Sequence, residues 1–98
     1  IILVHDCMPD SISKQAVPRY RMIWNGDVWK AIVDLRQQEN LEIYTCEIDQ
    51  GIAIIKKTKN SSILKIEKPV DRLKFKDYFY NYKKYLRVIS IEELKKII

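Results

Sequence analysis

His5 and Asp6 are the first side chains in the sequence that could do chemistry, and they directly follow an apolar run, Ile1 to Val4. Such a run, without polar alternation, predicts a strand that is buried on both faces, as in a parallel sheet. Open α/β sheets bind ligands beyond the carboxyl ends of their strands. An imidazole titrates near neutral pH, which suits the removal of a hydroxyl proton. The alternative is that Asp6 caps the strand and that His5 is a satisfied, partly buried imidazole.

A second group of candidate residues lies in the following loop and at the start of a helix. The group consists of Arg19, Tyr20, Arg21, Trp24, Asn25, Asp27 and Lys30. Folded over a site, the loop could use its two arginines and its tyrosine to grip an anionic or sugar acceptor, and Trp24 could serve as a sugar platform. The alternative is structural. In it, Asn25 and Asp27 are helix caps, and Trp29, which lies on an apolar helical stripe, belongs to the core.

Composition limits what the chain can be. Its 98 residues, 47% hydrophobic and 32% charged, are typical of a single globular domain over residues 1–98. The two glycines, Gly26 and Gly51, exclude a glycine-rich phosphate loop within these residues. No apolar run approaches the roughly 20 residues of a membrane helix, and no membrane contact is predicted. Cys7 and Cys46 lie in apolar surroundings, which favours reduced core thiols and a cytoplasmic location.

The net charge of +5 is concentrated in the second half of the chain. Residues 1–50 carry five basic and eight acidic side chains (−3), whereas residues 51–98 carry thirteen and five (+8). Lysines interleaved with tyrosines can bind nucleic acid. No recognised binding motif accompanies this charge, however, so nucleic acid is not the expected partner, and lysines that solubilise exposed faces are the favoured interpretation.

The hydrophobic pattern predicts an α/β fold. After the first strand, Met8 to Met22 is predicted as a long loop, followed by a helix from Asp27 to Gln38 that stops at a left-handed Asn40. Leu41 to Cys46 and Ile52 to Ile55 are predicted as an antiparallel hairpin, with Gly51 supplying a positive φ in the turn.

The remaining third of the chain is predicted to be mainly helical. Ile63 to Ile66 is a candidate extended segment before Pro69. A helix from Lys74 to Leu86 places an aromatic stripe against the core, with Tyr80 off that stripe. A capping box at Ser90 and Glu93 starts a terminal helix. The stripe consists of Phe75, Tyr78, Phe79, Tyr82, Tyr85 and Leu86.

This order of elements and three short motifs resemble the C-terminal half of class I S-adenosylmethionine-dependent methyltransferases. There, the fifth strand, a helix and a hairpin of strands six and seven finish a Rossmann-like sheet, and the last strand runs antiparallel. The segment from His5 to Pro9 resembles an HDC-x-P signature, and Trp24 to Lys30 resembles the WxGDVWK signature of a bacterial subgroup linked to polysaccharide biosynthesis. The segment from Tyr85 to Leu94 resembles the C-terminus of that subgroup. The resemblance covers essentially the whole chain.

The resemblance implies a role for each candidate residue. His5 would be a general base or acceptor contact, and Asp6 a carboxylate beside the base or a ligand of a divalent metal. The second group would bind a small hydroxylated or saccharide acceptor. The acidic Gly-x-Gly loop that binds S-adenosylmethionine in this family does not occur in these residues. The chain is therefore expected to be the C-terminal part of a larger methyltransferase domain and to bind no cofactor alone.

Two further expectations follow, and two other functions stay open. The chain is expected to self-associate or to contact the missing N-terminal half through the exposed edge of its first strand. The main alternative function is a non-enzymatic interaction module that uses the basic half of the chain. Glycosyl transfer, an activity also attached loosely to the subgroup, is disfavoured because the sequence has no DxD-type sugar-nucleotide motif.

Overall fold

Four strands and three helices form an α/β domain in the computed structural model, which describes residues 1–9, 27–48 and 50–97. The strands are β1 (Ile2–Val4), β2 (Glu42–Cys46), β3 (Ile52–Lys56) and β4 (Val88–Ile89). The helices are α1 (Val28–Leu35), α2 (Phe75–Leu86) and α3 (Ile91–Ile97), with a 3₁₀ turn at Val70–Arg72. The predicted α/β class is confirmed. None of these helices is both long and apolar enough to cross a membrane.

The four strands form one mixed sheet in the order β1-β3-β2-β4. The predicted hairpin is confirmed: β2 and β3 run antiparallel, with Tyr44 opposite Ile54, and Gly51 in the turn has φ +89°. β3 also runs antiparallel to β1, whereas β4 runs parallel to β2. β4 was not predicted, because a strand of two residues is too short to show a periodicity.

The prediction that the first strand is buried on both faces was wrong. β1 lies at the edge of the sheet and pairs antiparallel with β3, and its burial pattern is mostly exposed. Ile2 and Leu3 expose 48% and 65% of their surface. Among the described residues, no strand pairs with the other edge of β1. An apolar run of four residues shows that a strand forms, but it does not show how many neighbours that strand has.

Helix α1 forms where predicted but ends three residues early, at Leu35. Asp27 is its N-cap residue, although the aspartate side chain makes no capping hydrogen bond. Asn40 is not among the described residues with positive φ, so the predicted left-handed stop was wrong. The carbonyl of Arg36 instead accepts hydrogen bonds from the Leu64 amide (3.1 Å) and the Asn60 side chain (3.1 Å), so a distant loop satisfies the helix end.

The two C-terminal helices are also confirmed, with one error in the predicted core face of α2. Tyr78, Tyr85 and Leu86 are buried, and Tyr80 is exposed as predicted. Phe79 was assigned to the core stripe, but 59% of its surface is exposed. One residue advances a helix by about 100°, so Phe79 lies beside the buried face rather than on it. The capping box of α3 is present: Ser90 Oγ accepts a hydrogen bond from the Glu93 amide (3.1 Å).

Helices α1 and α2 pack on one face of the sheet and α3 packs on the other. Trp29 is completely buried in the larger cluster, and its ring lies 5.1 Å from that of Tyr78, so the core interpretation of Trp29 is confirmed. The smaller cluster joins Cys46, Ile54 and Ile89 to α3. Cys7 and Cys46 are both buried free thiols, as predicted. Residues 63–66, the candidate extended segment, form no strand.

Candidate functional site

The predicted catalytic pair lies at the carboxyl end of β1, and its two side chains contact each other. His5 Nδ1 lies 2.8 Å from Asp6 Oδ1. The side chains are 52% and 39% exposed, so a ligand in solvent can reach them. Asp6 adopts the left-handed region with φ 61°, which is uncommon for a residue other than glycine. A carboxylate in this position orients the imidazole.

The backbone beside this pair is held by the β2–β3 turn. The amide of Cys7 donates to the Gly51 carbonyl (3.1 Å), and the amide of Met8 donates to the Gln50 carbonyl (2.8 Å). The thiol of Cys7 donates to the carbonyl of Val4 (3.2 Å). Burial raises the pKa of Cys7 to about 11, so this residue is a protonated core thiol rather than a nucleophile. The turn therefore positions the segment that carries His5 and Asp6.

Replacing Gly51 with alanine should disturb this connection. A Cβ atom at Gly51 would lie 2.8 Å from both the Cβ and the backbone nitrogen of Met8, and the φ of +89° disfavours any side chain. We expect Gly51→Ala to reduce the free energy of unfolding by about 2 kcal/mol, measured by urea denaturation followed by circular dichroism.

The matched control for this substitution is Gln50→Gly. Gln50 also has a positive φ, of 62°, which glycine adopts without strain. We expect Gln50→Gly to change stability by no more than about 0.5 kcal/mol. Equal losses in the two variants would show that the approach of Gly51 to Met8 is unimportant.

A groove of about 260 Å³ lies between Met8 and Pro9, which closely follow Asp6 in the chain, and helix α2. It is lined by Met8, Pro9, Tyr78, Phe79 and Tyr82. Three of its five lining residues are aromatic rings of α2, and flat rings of this kind bind the apolar faces of sugars and other rings. The sequence analysis assigned all three rings to the core. In the sequence, the one indication that these rings could line a groove was their close spacing, which core packing also explains.

The second group of predicted site residues is only partly described by the structure. Arg19, Tyr20, Arg21, Trp24 and Asn25 lie outside the described residues, as does most of the predicted loop. Asp27 and Lys30 lie at the start of α1, where the Lys30 amide donates to the Asp27 carbonyl (2.9 Å). The Lys30 side chain lines a separate cleft with the 3₁₀ turn, so it does not line the groove beside Pro9.

The described residues do not by themselves hold the metal that the resemblance implies. No group of three or more His, Cys, Asp or Glu side chains in the described part of the chain is placed to bind a metal ion. Asp6 offers a carboxylate, and one of its oxygens already contacts His5. Any cation at Asp6 would therefore need ligands from outside the described residues.

A polar network that the sequence analysis missed lies at the N-terminal end of β2, where the strand begins at Glu42. The guanidinium of Arg87 donates to Glu42 and, at 3.1 Å, to Ser61 Oγ, and it lies 4.1 Å from the centre of the Tyr44 ring. Burial tends to raise the pKa of Glu42, but hydrogen bonds from Ser61 and Arg87 outweigh it and lower that pKa. Each polar group faces another in the network, which indicates a structural role.

The comparisons with known proteins do not identify the chain. No protein-family model, curated protein or solved structure matches it.

Proposed function

We propose that this chain is the C-terminal part of a class I S-adenosylmethionine-dependent methyltransferase that acts on a small hydroxylated or sugar-linked acceptor. The observation that carries the proposal is the contact between His5 and Asp6 at the carboxyl end of β1. The strand directions give further support. The chain runs from β1 through α1 into a hairpin, and the second hairpin strand, β3, is antiparallel to both β1 and β2, in agreement with the arrangement that the resemblance implies.

In the proposed reaction, His5 removes the proton of the acceptor hydroxyl. When Nδ1 donates to the Asp6 carboxylate, Nε2 carries the lone pair that accepts this proton. The negative charge of Asp6 stabilises the imidazolium that results. The groove between Pro9 and the aromatic rings of α2 is the proposed binding site for the acceptor, because sugars present apolar faces to aromatic rings.

The cofactor fits this proposal only if other residues bind it. S-adenosylmethionine supplies the methyl group, but the family's acidic Gly-x-Gly loop does not occur in this sequence. We therefore derive no methyl-transfer step from these 98 residues. The proposed contribution of this chain is confined to the acceptor and its proton, in a cytoplasmic enzyme.

The proposal also assigns a partner to the apolar groove beside the outer edge of β1. Beside the edge of β1 that pairs with no other described strand, a groove of about 330 Å³ is lined, among the described residues, by apolar side chains: Ile1, Leu3, Cys46, Ile48, Ile52, Ile54 and Leu94. An exposed, uncharged edge strand favours pairing with another strand. We propose that the N-terminal half of the enzyme covers this groove, and that the 98 residues alone associate with one another.

Calorimetric titration with S-adenosylmethionine tests the proposed function. The full-length protein, including the chain that precedes Ile1, should bind the cofactor, whereas residues 1–98 alone serve as the control and should not bind it. Sedimentation velocity on the same two samples should show a monomer and a self-associating chain, respectively. Failure of the full-length protein to bind S-adenosylmethionine would contradict the proposal.

The role of His5 is tested in the same full-length protein. His5→Ala should slow methyl transfer about a hundredfold, since general base catalysis contributes effects of this order. Its affinity for S-adenosylmethionine should be unchanged, because the cofactor is bound elsewhere. An unaltered rate would show that His5 is only a structural residue at the end of β1.

A further inference from the structure

The outer face of α2 combines exposed aromatic rings with lysines. We call this surface the lysine–aromatic face, and it consists of Lys76, Phe79, Tyr80, Lys83 and Lys84. All five residues are exposed, with 59% of Phe79 and 73% of Tyr80 accessible. At about 100° per residue, their positions form one continuous arc of the helix, opposite the buried Tyr78 and Tyr85. The sequence pattern did not indicate this surface, because the pattern assigned Phe79 to the core, whereas the ring is exposed.

The charge of this surface is positive and is only partly offset by its own helix, where Asp77 interacts with Lys76. Asp77 is the single acidic residue of α2. One of its oxygens lies 3.0 Å from Lys68 Nζ, and the other accepts a hydrogen bond from the Lys74 amide (2.8 Å). The Asp77 carboxylate is therefore engaged at the start of the helix. Lys76, Lys83 and Lys84 carry the charge of the face.

The two exposed rings are arranged so that neither covers the other face to face. The centres of Phe79 and Tyr80 are 5.3 Å apart, and the ring planes are nearly perpendicular at 88°. An exposed aromatic face provides a platform on which a nucleic-acid base stacks, whatever the sequence of the strand. Lysines on both sides of such a platform neutralise the phosphates of the same strand.

We infer that the lysine–aromatic face binds single-stranded nucleic acid. Lys76 and Lys83 are seven residues apart, about 10.5 Å along the helix, which matches the length of a few nucleotides. Bases would stack on Phe79 and Tyr80 while the three lysines contact the backbone. This activity does not depend on the proposed methyl transfer, although Phe79 also lines the groove proposed for the acceptor.

The position of the rings favours nucleic acid over a lipid surface. A helix that lies in a membrane interface has a broad apolar face opposite its charged face. In α2 the apolar face is already buried against the protein, with Tyr85 and Leu86 in the core. The exposed rings lie among the lysines instead. This arrangement suits a ligand that presents bases and phosphates side by side.

Fluorescence anisotropy with a labelled oligodeoxythymidine of about 12 nucleotides tests the inference. We expect residues 1–98 to bind it at low salt, with a slope of log affinity against log salt of about −2 for three lysines. Tyr80→Ala should weaken binding about tenfold through the loss of stacking. The double variant Lys83→Ala/Lys84→Ala should reduce the slope to about −0.7.

Three controls distinguish this inference from simple charge attraction. Lys95→Ala/Lys96→Ala removes the same charge from α3 and should leave the affinity for the oligonucleotide within about twofold. An abasic oligonucleotide of equal length should bind more weakly and should not respond to Tyr80→Ala. Circular dichroism verifies that each variant is folded. Equal binding of the abasic strand, no effect of Tyr80→Ala, or binding only to phosphatidylserine vesicles would overturn the inference.

Discussion

Arg36→Met should lower the free energy of unfolding by about 3 kcal/mol, because it removes the side chain that joins three segments of the chain. Arg36 is 4% exposed. Its guanidinium donates to the backbone carbonyls of Tyr85 (3.3 Å) and Lys84 (3.2 Å) at the end of α2, and to that of Ser62 in the preceding loop.

No carboxylate in the described part of the chain pairs with Arg36, and these contacts explain how its buried cation is tolerated. The last carbonyls of a helix have no partners within the helix and carry partial negative charge. The guanidinium supplies donors to two of them. Burial, and then repulsion from Arg87, lower the pKa of Arg36, which reflects the unfavourable part of this arrangement. Methionine removes the charge but also removes the guanidinium donors to these carbonyls.

Urea denaturation followed by circular dichroism measures the effect of Arg36→Met. The matched control is Arg72→Met, at an exposed position in the 3₁₀ turn, which should change stability by less than about 0.5 kcal/mol. Arg36→Lys retains the charge but not the planar fork of donors, so an intermediate loss is expected. Similar stabilities of Arg36→Met and Arg72→Met would contradict this account of the contacts.

Trp29→Ala should destabilise the domain by about 4 kcal/mol, which is typical of deleting a large buried aromatic side chain. Trp29 is completely buried between the sheet and α2, with its ring 5.1 Å from that of Tyr78. Alanine would leave a cavity that the surrounding rings fill only in part. In a domain of this size such a loss is a large share of the total stability.

The matched control for Trp29→Ala is Tyr80→Ala, which also deletes a large ring. Tyr80 is 73% exposed, so its removal should change the free energy of unfolding by less than about 0.5 kcal/mol. Trp29→Phe refills much of the volume and should lose about half as much stability as Trp29→Ala. A loss for Trp29→Ala no greater than that of Tyr80→Ala would show that Trp29 is not a core residue.

The elements that could be predicted from sequence are those governed by local chemistry. The hydrophobic period of α2, the capping box at Ser90 and the glycine in the β2–β3 turn depend on interactions between residues a few positions apart. Each of these predictions is confirmed. The candidate pair His5 and Asp6 was also identifiable, because it directly follows an apolar run.

Contacts between distant segments decided the rest. The sequence determined that Ile2–Val4 would be a strand, but its edge position depends on β3, about 50 residues later. The end of α1 depends on carbonyl partners supplied by Asn60 and Leu64. Phe79 is exposed because the sheet and α1 cover only one side of α2, and no local periodicity determines the width of that contact. Long-range packing therefore decided which of the predicted aromatic residues formed the core and which formed a surface.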